Sequence, residues 1–244
     1  MKNNVNYVIT ATSKQIELLT LACNQAMRVH IGQLDDPLTV LLNFEIAYHR
    51  HHEGETSPML IQEELAELSR LCWHNMSYGY GYDEVSKNYY ALYLMLKGCE
   101  GLMSPVTFKV ADYQLELLRT ACEQAARLRT GQLDYGFIDE LMNAFRQKAG
   151  IGNDLSASDI DIRERVTTIC NHLHTICWNM PPNVDHGMHY DDDSDIWWDM
   201  YQVFRHQLWI QRNPTPKYQD MMTVDSDKPY QTGKEPLVKV EISS

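Results

Sequence analysis

The residues best suited to bind a charged group lie at two matching corners of the chain. Arg28 precedes the segment Gly-Gln-Leu-Asp at 32–35, and Arg127 precedes the same four residues at 131–134. Each arginine stands four residues before the glycine, so the two share a helix face, where a guanidinium beside exposed backbone N–H groups can bind an anion. In a competing, structural interpretation the glycine caps the helix and the leucine enters the core. The candidate anion-binding residues are the arginine and the glutamine of each corner: Arg28, Gln33, Arg127 and Gln132.

A second group of candidates combines aromatic loops with a basic pair. Its members are Tyr80 and Tyr82 in the first half of the chain, and Tyr190, Arg205 and His206 in the second half. Aromatic faces beside cations can stack a nucleobase and hold a phosphate. The first-half positions that match the Arg-His pair are Lys97 and Gly98, so only a positive charge is kept there. The competing interpretation is a tyrosine-rich loop that packs over the core.

Other kinds of site chemistry find little support in the sequence. Ten histidines are present, with local clusters at 49–52 and 186–189, the second of them close to an acidic run at 191–193. A metal site needs three or four convergent ligands, and no HExxH motif occurs. The chain also contains no GxSxG nucleophile motif and no phosphate loop of the GxxxxGK[ST] or GxGxxG type. We therefore predict a non-catalytic protein with no cofactor and no metal.

The candidate corners occur twice because the chain is duplicated. Residues 15–35 and 114–134 are identical at 13 of 21 positions without a gap, and GYGYD at 79–83 matches GMHYD at 187–191. This self-similarity predicts two copies of a unit of roughly 100 residues. The predicted organisation is a first repeat at 1–98, a linker at 99–105, a second repeat at 106–212 and a polar, partly disordered tail at 213–244.

Each copy is predicted to form one short strand followed by four helices. The strands are expected at 7–10 and 106–110. The first helices are expected at 14–31 and 113–130, and both are predicted to be largely buried. Their predicted N-caps are Ser13 and Asp112. The later helices are expected at 37–49, 58–74 and beyond 83 in the first copy, and at 137–148, 158–179 and beyond 191 in the second. The tail adds an edge strand at 237–242. The predicted fold class is therefore mainly α, a tandem duplication of a four-helix unit with a short N-terminal strand in each copy, related by a pseudo-twofold axis.

Composition narrows the classes of partner. The net charge of −12 and the pI near 5.2 oppose binding to nucleic acid polymers and to anionic membranes. The first residues lack the apolar core of a signal peptide, and no apolar run approaches the roughly 18 residues of a membrane helix. Six cysteines without CxxC spacing are predicted to be buried free thiols in a reducing compartment.

Two patterns carry a resemblance to a known family. They are Arg-x-x-x-Gly-Gln-Leu-Asp at both corners and the stretch WDMYQVFRH at 198–206. The chain resembles a family of small, mostly helical accessory proteins encoded by bacteriophages, normally with one unit per chain, over about 15–98 and 114–208. The first copy departs from the pattern at 93–98, so a site built on the Arg-His pair would be present once. The resemblance implies a counter-defence protein that acts in the host cytoplasm.

Together these observations favour a protein that binds and sequesters a small anionic signalling molecule of nucleotide type, in a pocket near the pseudo-twofold axis. The arginines would pair with phosphate and the tyrosines would stack the base. Two alternatives stay open. One is an inhibitor that binds a host defence enzyme through an acidic, tyrosine-rich surface, and the other is a metal-dependent enzyme that uses the histidines and the acidic run. The sequence is also compatible with a homodimer of the whole chain.

Overall fold

The protein is mainly helical and carries a small three-stranded sheet. The computed structural model describes residues 5–30, 63–64, 66–68, 84–130, 132, 157–178, 191–217 and 223–243. The elements in chain order are β1 (Asn6–Ala11), α1 (Ser13–His30), α2 (Glu84–Lys97), β2 (Val106–Ala111), α3 (Asp112–Arg129), α4 (Ala157–Trp178), α5 (Asp192–Arg212) and β3 (Lys239–Ile242). Within the described part of the chain, no helix combines the length and apolarity that crossing a membrane would require.

The predicted elements form wherever the structure describes the chain. Helices α1 and α3 begin and end at repeat-equivalent residues, Ser13 with Asp112 and His30 with Arg129, each pair 99 positions apart. The third and last helices of the second copy form as α4 and α5, and the last helix of the first copy forms as α2. The second helices, predicted at 37–49 and 137–148, and most of the helix predicted at 58–74 lie outside the described residues.

The N-caps of the two matching helices sit one residue earlier than predicted. Thr12 rather than Ser13 caps α1, because the Gln15 N–H donates to the Thr12 hydroxyl (3.2 Å) and the Thr12 N–H donates to Gln15 Oε1 (2.9 Å). In the second copy Gln114 Oε1 accepts the Ala111 N–H at 2.8 Å, which keeps half of this reciprocal box. The glutamine shared by both copies is therefore explained by helix capping.

Strands β1 and β2 pair with each other, so the sheet joins the two copies. The pairing is antiparallel, and Ile9 lies opposite Phe108, which are repeat-equivalent residues. Beside this ladder the Tyr7 hydroxyl donates to Asp112 Oδ1 at 3.0 Å, and burial together with that carboxylate raises the pKa of Tyr7 well above its usual range. On the other side of β1 lies β3, also antiparallel, in the order β2-β1-β3. The predicted edge strand of the tail thus forms over its last part.

The chain forms two compact units, and each draws on both copies. Unit one comprises residues 1–26, 87–126 and 188–244, and unit two comprises residues 27–86 and 127–187. The two predicted repeats, 1–98 and 106–212, therefore do not coincide with the two compact units. β1 and β2 belong to different copies but pair in one sheet, and this pairing is the reason that unit one contains segments of both copies.

In unit one, α5 packs along α1 in a parallel direction. The Trp197 indole N–H donates to the Leu18 carbonyl at 2.9 Å, and Lys14 lies 2.7 Å from the Asp193 carboxylate. In both contacts the two residues are 179 positions apart, so the two helices run in the same direction. The indole of Trp197 is almost fully buried, which makes its satisfied N–H necessary.

The C-terminal tail is anchored along α5 over residues 223–243. The buried carboxylate of Asp199 accepts the N–H groups of Thr232 and Gly233 at 2.9 Å each, while Gln202 Nε2 donates to the Tyr230 carbonyl at 3.3 Å. A Cβ on Gly233 would lie 2.9 Å from the Ile196 side chain, so only glycine permits this approach. Over 223–243 the tail supplies backbone N–H groups that a buried carboxylate holds.

Asp199→Ala should release the tail. The substitution leaves two buried N–H groups without their acceptor, and hydrogen bonds to a charged group are worth about 1.5–3 kcal/mol each. We expect a lower free energy of unfolding in urea and fast amide exchange at Thr232 and Gly233. Asp225→Ala, at an exposed position of the same tail, should change neither quantity. Slow exchange at both amides in Asp199→Ala would contradict the proposed anchoring.

The buried thiols should be unreactive in the native protein. Cys23, Cys122 and Cys170 are free and buried, as predicted, whereas Cys99 is half-buried. Burial raises the pKa of Cys23 from 9.0 to about 12, and burial together with the neighbouring Cys23 raises the pKa of Cys122. The stability that comes from keeping these thiols neutral is therefore complete below pH 9 and is lost as the pH rises from there towards 12.

Alkylation followed by peptide mapping tests this assignment. At about pH 8.5 iodoacetamide should modify Cys99 within minutes and leave Cys23 and Cys122 unmodified until the protein is unfolded in urea. Equal labelling of all three cysteines in the native protein would contradict their burial.

Candidate functional site

At the described corner, the Arg127 side chain closes the end of α3. Its Nη1 donates to Gln132 Oε1 at 2.9 Å, and its backbone carbonyl accepts the Gln132 N–H at 2.8 Å and the Thr130 hydroxyl at 3.0 Å. Gln132 is buried, so its carboxamide fixes the direction of the guanidinium. The structural interpretation of this corner therefore accounts for the glutamine as well as the arginine.

The other candidates of the first group are only partly described. Arg28, the repeat equivalent of Arg127, is half-buried in the last turn of α1. Gln33 lies outside the described residues, as do the aromatic candidates Tyr80, Tyr82 and Tyr190. The chain segment that contains Tyr190 is assigned to unit one, as is the Arg-His pair. The segments that contain Arg28, Gln33, Tyr80 and Tyr82 are assigned to unit two, as is the Arg127 corner.

Arg205, predicted as a phosphate ligand, is buried inside unit one. Only 5% of the residue is exposed, and its Nη2 donates to the Asp227 carbonyl of the tail at 3.2 Å. The guanidinium carbon lies 5.4 Å from the centre of the Tyr201 ring. Its Nε is buried and has no hydrogen-bond partner. A buried guanidinium that keeps one donor unsatisfied is costly, and such a donor commonly marks a bound water or ligand.

Two other residues of unit one carry further buried polar atoms without partners. Among the described residues these are His206 Nδ1 and both amide atoms of Gln25, in addition to Arg205 Nε. His206 stacks on Trp209 with ring centres 5.8 Å apart. The basic pair predicted as a ligand site is thus the place where unsatisfied buried polar atoms occur.

Gln25 lies on α1, the helix that contacts α5 through Lys14 and Leu18. Gln25 also continues the face of α1 that carries Leu18, the residue bonded to Trp197, because residues three and four apart share a helix face. Gln25 was missed in the sequence, although a glutamine on an apolar helix face is a visible signal.

A cluster of charges on α3 also lies near Tyr201. Arg119 lies 6.0 Å from the Tyr201 ring centre and is paired with Glu116 (2.8 Å) and Glu123 (3.2 Å). Burial alone would raise the pKa of Glu116, but Arg119 and Arg212 together hold it below its usual range. Arg119 is therefore neutralised locally, which makes Arg205 the better candidate for an external anion.

The acidic run at 191–193 has a structural role. Asp191 is the N-cap of α5 and forms a capping box with Ser194, Asp192 approaches Lys234 of the tail (3.5 Å), and Asp193 pairs with Lys14. Negative charge at a helix N-terminus is favourable. In the described residues no three His, Cys, Asp or Glu side chains are grouped to hold a metal ion. The histidines at 49–52 and 186–189 lie outside these residues.

The substitution Gln25→Leu tests whether the Gln25 amide lacks hydrogen-bond partners in solution or takes part in a structural hydrogen bond. If both amide atoms are unsatisfied, an apolar residue of similar size removes their desolvation cost, about 1–3 kcal/mol, and raises the free energy of unfolding. The repeat-equivalent Gln124 has an interaction partner, so Gln124→Leu should not be stabilising. Urea unfolding of both variants gives the comparison. A strongly destabilised Gln25→Leu would mean that the amide is satisfied in solution.

Comparisons with known proteins give no additional assignment. No protein-family model, no curated protein and no solved structure matches this chain. The candidate site therefore depends on its own geometry: a buried arginine with an unsatisfied donor, and the histidine next to it.

Proposed function

We propose that this chain is a non-catalytic binding protein that captures a small anionic molecule of nucleotide type. The observation that supports this most strongly is the buried Arg205, whose Nε lacks a partner. An anion is the ligand that a guanidinium in a dry site prefers, because charge-assisted hydrogen bonds strengthen when water is excluded. Binding would satisfy the donor that the protein itself leaves unsatisfied.

The neighbouring groups suit a phosphate or carboxylate oxygen. His206, the next residue, offers a ring nitrogen, and Gln25 of the same compact unit has a buried amide whose atoms lack partners. The stacked rings of His206 and Trp209 provide an aromatic surface beside this position. Base stacking by Tyr80, Tyr82 and Tyr190, and phosphate pairing by Arg28 and Arg127 with Gln33 and Gln132, stay predictions from the sequence and are tested separately from Arg205.

The proposed fold is a pseudo-twofold duplication. Its support is local: repeat-equivalent Ile9 and Phe108 lie opposite each other, and the repeat-equivalent Cys23 and Cys122 are close enough for one to raise the pKa of the other. Pairing between equivalent residues is what a twofold relation between two copies produces.

The biological setting that we propose comes from the resemblance to bacteriophage accessory proteins. A protein without catalytic motifs can blunt a host response by holding a signalling nucleotide stoichiometrically in the host cytoplasm. The acidic net charge of −12 disfavours longer nucleic acids and leaves a buried arginine as the site for a small anion.

Native mass spectrometry tests the proposal directly. The protein is measured alone and with a panel of cyclic dinucleotides, cyclic mononucleotides and ADP-ribose-type nucleotides. We expect a stable adduct with one class, and about a tenfold or greater loss of affinity in Arg205→Lys, which keeps the charge but removes Nε–H. Arg205→Ala should bind no better than Arg205→Lys.

Arg212→Ala is the matched control, because it removes a positive charge from the same helix at an exposed surface pair with Glu116. It should keep the adduct. Arg127→Ala measures separately whether the corner contributes. An adduct that survives in both Arg205→Lys and Arg205→Ala would overturn the site. A bare chain with every nucleotide would overturn the ligand class and favour a host protein as the target.

A further inference from the structure

The C-terminal tail crosses one face of α5 at three levels. Asp199, Gln202 and Arg205 follow one another at intervals of three residues, so they form a single slanted row on the helix surface. Their hydrogen-bond partners in the tail come in the reverse order: Thr232 with Gly233, then Tyr230, and then Asp227. The tail therefore runs antiparallel to α5, and its contact with the buried arginine is the last of the three along this helix.

The hydrogen bonds are short at one end of this row and longer further along it. The Asp199 carboxylate accepts the N–H groups of Thr232 and Gly233 at 2.9 Å each. Gln202 Nε2 donates to the Tyr230 carbonyl at 3.3 Å, and the Tyr230 N–H lies 3.5 Å from Gln202 Oε1. Hydrogen bonds to a carboxylate are roughly twice as strong as neutral ones. The tail is therefore held firmly at Thr232 and Gly233 and only weakly at Tyr230.

The segment 223–231, which we call the strap, lies on α5 without burying any of its residues. One turn of 3₁₀ helix at Val224–Ser226 contacts α5, yet the Val224 and Tyr230 side chains are 67% and 58% exposed. Lifting the strap would therefore expose little apolar surface, and such segments open locally at a small free-energy cost. Beyond the strap the tail is held again, because β3 pairs with β1.

The strap occupies one edge of the Arg205 guanidinium without satisfying it. Nε and Nη2 share the edge at which an arginine can hold two oxygens of a phosphate or carboxylate. The Asp227 carbonyl accepts from Nη2 at 3.2 Å, while Nε is buried and has no partner. A single neutral oxygen therefore stands where an oxyanion could place two charged ones.

We propose that the strap is the gate of the Arg205 site: it lifts about its anchor at Thr232 and Gly233, and an oxyanion then replaces the Asp227 carbonyl on Nη2 and bonds to Nε as well. This inference rests on the function proposed above. The exchange is favourable because two hydrogen bonds to a charged ligand replace one to a neutral carbonyl. The strap thereby controls how fast the anion enters and leaves.

Chemical modification of Arg205 measures the opening of the strap without any ligand. Phenylglyoxal reacts with accessible guanidinium groups, and peptide mapping gives the rate at each arginine. Arg212, whose side chain is 52% exposed on the same helix, is the internal reference. Gln202→Ala removes both contacts with Tyr230 and keeps the Asp199 anchor. We expect Arg205 to react at least about threefold faster in this variant, and Arg212 to keep its rate.

A second variant loosens the strap without changing α5. Pro229→Gly widens the range of conformations open to the lifted strap, so Arg205 should again react faster. The matched control is Gln207→Ala, which removes a half-buried glutamine of the same helix outside the row that meets the tail. It should leave the rate at Arg205 unchanged. Circular dichroism confirms that each variant is folded.

Inorganic pyrophosphate is the probe for the anion. In the wild type it should slow the modification of Arg205 relative to Arg212, compared with sodium chloride at equal ionic strength. It should also speed amide exchange over the strap, while Thr232 and Gly233 stay protected.

The possible results separate the strap from the anion site. Equal rates at Arg205 in the wild type, Gln202→Ala and Pro229→Gly would overturn the strap. Faster modification in both variants without protection by pyrophosphate would support a strap that opens and overturn the anion site beneath it. Protection by pyrophosphate with unchanged amide exchange over the strap would overturn the replacement of the Asp227 carbonyl.

Discussion

The antiparallel pairing of β1 with β2 is the interaction on which the rest of unit one depends. It places the starts of α1 and α3 at one sheet, because each helix begins within two residues of its strand. The strands come from different copies of the repeat, so neither copy can complete the sheet by itself. This explains why the compact units draw on both copies. A chain with one repeat would need a second molecule to form the same ladder.

Features that are coded locally could be predicted from the sequence, and features that depend on distant contacts could not. The matching helices at 13–30 and 112–129 follow from apolar periodicity, and their ends were predicted to within one residue. The cap at Thr12 was misplaced because Ser13 offers the same hydroxyl one position later. The anchoring of the tail depends on Asp199, 33 positions before Thr232, and no local pattern signals that contact. Arg205 was predicted as a phosphate ligand, but its burial and its hydrogen bond to the Asp227 carbonyl of the tail could not be predicted.

Buried polar groups in unit one divide into two kinds. Asp199 is fully engaged, since its two oxygens accept N–H groups of the tail and the Thr232 hydroxyl. Arg205 and Gln25 are not, because they retain buried atoms without partners. A buried charge that lacks a full set of partners is expensive, and packing alone gives no reason to keep it. The first kind explains how the tail is held, and the second is the feature on which the proposed ligand site rests.

The helices α2 and α5, which the sequence alignment of the two halves matches, differ at corresponding positions. Where α5 has Asp199, Gln202 and Arg205, α2 has Ala91, Leu94 and Lys97. The first set binds a tail and buries a guanidinium, so it needs a covering segment. The second set has no anchors for such a segment, and its cation is exposed and paired with Glu100. The two helices therefore differ in what lies over them: a tail segment anchored on Asp199 and Gln202 covers α5, whereas Leu94 of α2 stays exposed.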